Sequence, residues 1–96
     1  MSAYFVAQID IHDPKEYEVY EEGFDQVFSN YDGQVVCVDD QPSVLEGAWS
    51  RTRIVIIRFR DEDEARRGYG SDEYTKLVHH HHRALKADII LTKGRD

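Results

Sequence analysis

The sequence predicts an α+β domain in which two helices cover one face of a four-stranded antiparallel sheet. Three observations carry that expectation. Near the start, Ala3, Phe5, Ala7, Ile9 and Ile11 occupy every odd position, with Gln8 and Asp10 between them, which is the period of a half-buried strand. Farther on, Tyr17, Tyr20, Phe24, Val27, Phe28 and Tyr31 recur at spacings of three and four, the period of a helix with one apolar stripe. Ile54, Val55, Ile56, Ile57 and Phe59 then form the most continuous apolar run. A strand of that kind is covered on both faces and belongs in the middle of a sheet.

The remaining elements follow from their ends. Asp13 can accept from the first free helical N–H groups, Pro14 needs no donor at the first helical position, and Glu16 completes a capping box. Asp32 and Gly33 stop that helix, with Gly33 free to take the left-handed conformation. Residues 35–38 are β-branched and small, so a second strand. Asp39, Asp40, Gln41 and Pro42 read as a turn, and residues 43–49 as an extended arm with a bulge or close approach at Gly47. Asp61 caps a second helix, with Asp63 and Glu64 near its positive end. Gly68 and Gly70 each weaken that helix by about 1 kcal/mol relative to alanine, so a break is expected near residues 69–71. Ser71 restarts it, and Tyr74, Leu77, Val78, His81 and Leu85 continue an inward stripe. The last strand spans 89–91 and closes at Gly94. Strand, helix, strand, strand, helix, strand is the ferredoxin-like βαββαβ order, whose right-handed crossovers put both helices on one face.

Composition narrows the function. Ninety-six residues make a single domain, 1–96, able to bury roughly 65% of its unfolded surface. Hydrophobic residues at 41% argue against disorder. Twelve basic residues against nineteen acidic ones leave a net charge of −7, which repels nucleic acid and anionic membranes. The local basic stretch Arg51, Arg53, Arg58 and Arg60 is therefore expected to pair with carboxylates. A single cysteine, Cys37, points to a reducing, cytoplasmic compartment and lacks a neighbouring base that would make it a nucleophile. No apolar run is long enough to span a bilayer, and Asp10 interrupts any signal-peptide pattern. The uncovered face of the sheet carries Tyr4, Val6 and one side of the third strand. An apolar patch of several hundred Å² marks a partner surface, so a homodimer packed sheet to sheet is expected.

Several segments resemble a bacterial family known as domain of unknown function 1330. They are the opening strand with Asp13-Pro14 and Tyr17, the stretch Val44-Leu45-Glu46-Gly47-Ala48-Trp49, the strand 55–59, and Tyr69, Ser71, Glu73 and Tyr74. The resemblance covers almost the whole chain and implies a dimeric α/β barrel, two ferredoxin-like subunits with facing sheets. The family has no established activity. In the wider superfamily the cleft between helices and sheet often houses small aromatic or dicarbonyl substrates, so the resemblance implies a small aromatic or oxo-acid ligand. This chain departs from the family pattern at Arg60-Asp61, Gly68, Gly70, Asp72, His81 and Lys93. The two glycines imply an enlarged or softened cavity under their helix, and His81 stands where relatives carry an arginine.

The candidate site gathers Glu46 and Trp49 from the arm with Tyr74 and His81 from the last helix, and Tyr17 from the first. An imidazole and a carboxylate beside aromatic walls suit proton transfer. The expectation is a cofactor-independent reaction at most, with His81 as acid or base, Glu46 orienting it, and Tyr17, Trp49 and Tyr74 contacting ligand. The alternative is a non-catalytic interaction module whose cleft is filled by side chains, with Glu46 paired to a base, Trp49 on the partner and Tyr74 in the core. The run His79-His80-His81-His82 sprays around the helix, leaving only His79 and His82 on one face. It lacks the i, i+4 spacing of helical metal pairs, so no metal site is expected. The rest of the aromatic stripe, Tyr20, Phe24 and Phe28, reads as core, with Tyr17 the exception whose hydroxyl reaches toward the cleft.

Overall fold

The computed structural model describes residues 1–49 and 52–96. In chain order it contains β1 (Ala3–Ile11), α1 (Pro14–Ser29), β2 (Gln34–Asp39), β3 (Arg53–Phe59), α2 (Glu62–Tyr69), α3 (Asp72–His81) and β4 (Leu85–Lys93). The strands form one antiparallel sheet in the order β2-β3-β1-β4. The long apolar strand β3 is thus central, beside β1.

Register sorts the two faces. Phe5 lies opposite Ile57 and Leu91, and Ala7 opposite Val55 and Ile89, all toward the helices. Phe5, Ile57 and Phe59 pack there with Val27 and Phe28 of α1, Ala65 of α2 and Tyr74 of α3. Ala7 and Ile9 pack with Tyr17, Tyr20 and Ala84 in an adjoining cluster. Phe28 meets Phe5, Phe59 and Tyr74 at steep ring angles, the arrangement that suits aromatic quadrupoles. On the other face Val6 sits between Ile56 and Ile90, and Cys37 lies opposite Ile56. That face carries no helix, and Ile90 is 59% exposed.

The break expected near residues 69–71 is present: Gly70 ends α2, and the Ser71 side chain accepts the Tyr74 N–H at 3.2 Å to start α3. It falls where two glycines remove helical preference. Other local expectations are revised. Asp32, rather than Gly33, takes the left-handed conformation, with φ 61°. Gly33 is needed for closeness, because a Cβ there would lie 2.8 Å from the Phe28 carbonyl oxygen. Gly47 has φ 79° with open space around it, so it turns an exposed loop and makes neither a bulge nor a close approach. Gly68 does not enlarge a cavity, since the Phe28 ring occupies the space beside it. Leu85 belongs to β4, which is nine residues long. Its alternation of Leu85, Ala87, Ile89 and Leu91 inward with Lys86, Asp88, Ile90 and Thr92 outward is that of a half-buried strand.

The arginines pair as expected. Arg53 meets Glu21 and Asp40, Arg58 meets Asp96, and Arg60 meets Asp61 and Glu64. Arg51 lies outside the described residues. Among the described residues no helix is long and apolar enough to cross a membrane.

Candidate functional site

The start of α1 positions a carboxylate beside an imidazole. Asp13 Oδ1 accepts the Glu16 N–H at 3.2 Å, as a cap should. The reciprocal half of the capping box is not made. Instead the N–H groups of His12 and Asp13 both donate to the Ala84 carbonyl, at 2.7 and 3.1 Å. That double contact ties the start of α1 to the turn between α3 and β4. It frees the Glu16 side chain, whose Oε1 lies 3.3 Å from Nδ1 of His81. His81 ends α3 with its side chain 19% exposed and its ring edge-on to Tyr20 at 6.3 Å.

Two adjoining cavities between helices and sheet bear on the site. The inner one, about 160 Å³, has Ala7, Val55, Ile57 and Ile89 of the sheet on one side and Tyr17, Tyr20 and Phe24 of α1 on the other. Glu21, Asp25 and Arg53 line it too, beside Val35 and Val38 of the edge strand. The outer one, about 360 Å³ and more open, is lined by Tyr69, Tyr74, Thr75, Val78, His81 and His82. Tyr20, Leu85, Ala87 and Ile89 line both, so the two are neighbouring parts of one cleft.

Burial sets the state of the phenols. Tyr17 is pushed up to about 12, first by desolvation; Arg53 opposes the shift, while Glu21, Asp40 and Asp25 add to it. Desolvation also raises Tyr20, followed by its interaction with the Tyr74 hydroxyl. Tyr74 is raised by desolvation and pulled back in part by its hydrogen bond with Tyr20. All three stay neutral donors at neutral pH.

The structure brings His81 and Tyr74 to the outer cavity and Tyr17 to the inner one. Glu46 and Trp49 lie on the loop between β2 and β3 and line neither cavity. Glu46 is exposed, and Glu16 stands beside His81 where Glu46 was expected. Trp49 is half-buried, and its buried indole Nε1 has no hydrogen-bond partner among the described residues. Sequence reasoning missed Glu16, Glu21, Asp25 and Arg53 as site residues. A signal for two of them was present, because Tyr17, Glu21 and Asp25 follow at intervals of four and share one side of the helix.

The rings of His79 and His82 lie 6.3 Å apart, and His82 Nδ1 sits 2.8 Å from the His79 carbonyl oxygen. Among the described residues no group of three or more His, Cys, Asp and Glu side chains is arranged to hold a metal ion.

The chain resembles several solved structures over almost its full length. A protein of unknown function from Rhodopseudomonas palustris, RPA0582, shares 15% identity at a TM-score of 0.81, covering 99% of this chain and 83% of that one. SnoaB, a cofactor-independent oxygenase from Streptomyces nogalater, shares 18% identity at a TM-score of 0.69, over 99% and 94% of the two chains. An Arabidopsis thaliana protein solved in solution shares 13% identity at a TM-score of 0.69, over 98% and 88%. At these identities the likeness carries the fold alone, an antiparallel four-stranded sheet with helices packed on it. No curated protein matches the chain. The match that spans residues 2–95 is to a family model, and by it the chain belongs to the family described as domain of unknown function DUF1330.

Proposed function

We propose that the protein is a cytoplasmic homodimer that binds a small aromatic compound in the cleft between helices and sheet, where His81 moves a proton without a cofactor. The carrying observation is the cleft itself. An apolar, aromatic-walled inner cavity adjoins a more open one that holds an imidazole with its own carboxylate partner. A cavity of about 150 Å³ suffices for benzene, so the inner space suits one ring. Glu16 at Nδ1 favours the tautomer that leaves Nε2 as the acceptor. Tyr74, kept neutral by burial, can donate to a ligand oxygen. Tyr17 closes the inner wall. One neighbour of the same fold is an oxygenase that needs no cofactor, which supports chemistry carried by side chains alone.

A thermal-shift titration with benzyl alcohol tests the reading. At ten times the dissociation constant the melting temperature should rise by roughly 5 to 10 °C. Ala87→Leu, which fills the shared wall, should abolish the shift. With phenylacetone bound in D2O, exchange at the methylene above the solution background should disappear in His81→Gln. The inner cavity is smaller than the roughly 300 Å³ of ordinary ligand sites, and this favours a second reading, a non-catalytic module with a filled cleft. An unchanged melting temperature in wild type would decide for it.

A further inference from the structure

The charges at the mouth of the inner cavity select among ligands. Arg53 is 16% exposed and already engaged: its guanidinium lies 3.0 Å from Glu21 and 3.3 Å from Asp40, and it stacks 5.3 Å from the centre of the Tyr17 ring. Asp25 adds a third carboxylate on the turn of α1 beyond Glu21. The mouth therefore carries more negative charge than positive, on a chain whose net charge is −7. Apolar walls on the sheet side focus that field into the cavity.

We infer that the inner cavity prefers a single-ring aromatic amine, its ring against Val55 and Ile57 and its ammonium between Glu21 and Asp25, and discriminates against aryl and oxo acids. An incoming carboxylate would have to displace Glu21 or Asp40 from Arg53 and would meet Asp25 as well. An ammonium meets Asp25 directly and leaves the Arg53 pairs intact. This inference rests on the reading of the cleft as a ligand site.

Benzylamine, benzyl alcohol and benzoate share one ring and differ in charge. Their binding can be followed by NMR of labelled Val and Ile methyl groups at low ionic strength. Benzylamine should bind about threefold to fivefold more tightly than benzyl alcohol, the scale of a half-exposed ion pair, and benzoate should bind more weakly than either. Asp25→Asn should narrow the gap between amine and alcohol, whereas Asp72→Asn, the same charge removed from exposed α3, should not. Glu21→Gln, which releases Arg53, should move benzoate up the order. Benzoate binding as tightly as benzylamine, or an order untouched by Glu21→Gln, would overturn the inference while binding of benzyl alcohol upheld the cleft. Failure of all three probes to bind would overturn both.

Discussion

Burial at single residues decides which polar groups here keep their protons. Tyr17 ionises near 10 when free and at about 12 in the folded chain, because the folded state desolvates its phenolate and surrounds it with Glu21, Asp40 and Asp25. The folded state therefore holds that proton more tightly than the unfolded one. Its share of stability is complete below about pH 10, falls as pH rises toward 12, and has gone above it, a change of about 2 to 3 kcal/mol. Urea unfolding of wild type and Tyr17→Phe between pH 9 and 12 should show a shallower loss in the variant, whose ring still stacks under Arg53. Parallel pH profiles would contradict this. Tyr17, Tyr74 and His81 face the cleft, a direction they inherit from the helical period of their stripes. Glu16 does not, because its partner is fixed by a backbone contact between His12, Asp13 and Ala84, seventy residues apart. No local pattern records such a contact.

Elements here are set by their ends and by how closely they approach. Gly68 lets the last turn of α2 lie against α1: a Cβ there would be 2.8 Å from Cε1 of Phe28 and 3.2 Å from Cβ of Tyr31. Phe28 is 2% exposed and held by four other rings, so it cannot yield. Gly68→Ala gains about 1 kcal/mol in helix preference but incurs overpacking of about 1 to 3 kcal/mol. A net loss of stability is expected, visible as a lower urea midpoint. Gly70→Ala meets only the Arg66 carbonyl oxygen at 3.4 Å, with φ −86°, and should leave the midpoint within about 0.5 kcal/mol of wild type. The two glycines looked alike in the sequence and differ only in what packs beside them. The order of strands and helices, the caps at Asp13, Asp61 and Ser71, and the break between α2 and α3 were legible because each has a local cause. The start of β4 was not. Leu85 extends the helical stripe of Tyr74, Val78 and His81 as smoothly as it begins the strand alternation, and the turn that separates them carries no glycine or proline.

The whole molecule is two layers, 34 × 30 × 15 Å in Cα extent, with helices on one side of the sheet and, among the described residues, no helix on the other. Val6, Ile54, Ile56, Cys37 and Ile90 occupy that open side, with Tyr4, Gln8 and Arg58 around them. Four strands of seven or so residues present about 500 Å², or about 1,000 Å² when two copies stack. That is the lower limit for a specific interface, so no part of it is expendable. In the proposed dimer an interface this small would be sensitive to one charge at its centre. Ile56 lies there, between Val6 and Cys37. In Ile56→Lys the ammonium faces water in a single copy but must be desolvated, without a partner, when two sheets close. Sedimentation of wild type at micromolar concentration should give twice the 11.2 kDa chain mass, and Ile56→Lys should give the single mass with far-ultraviolet circular dichroism unchanged. Lys86→Glu, at the polar rim opposite Asp10, should alter the association rate and its salt dependence more than the final state. A wild-type chain that sediments as one copy would mean the open face is stable in water, and the paired-sheet assembly would then have no physical cause.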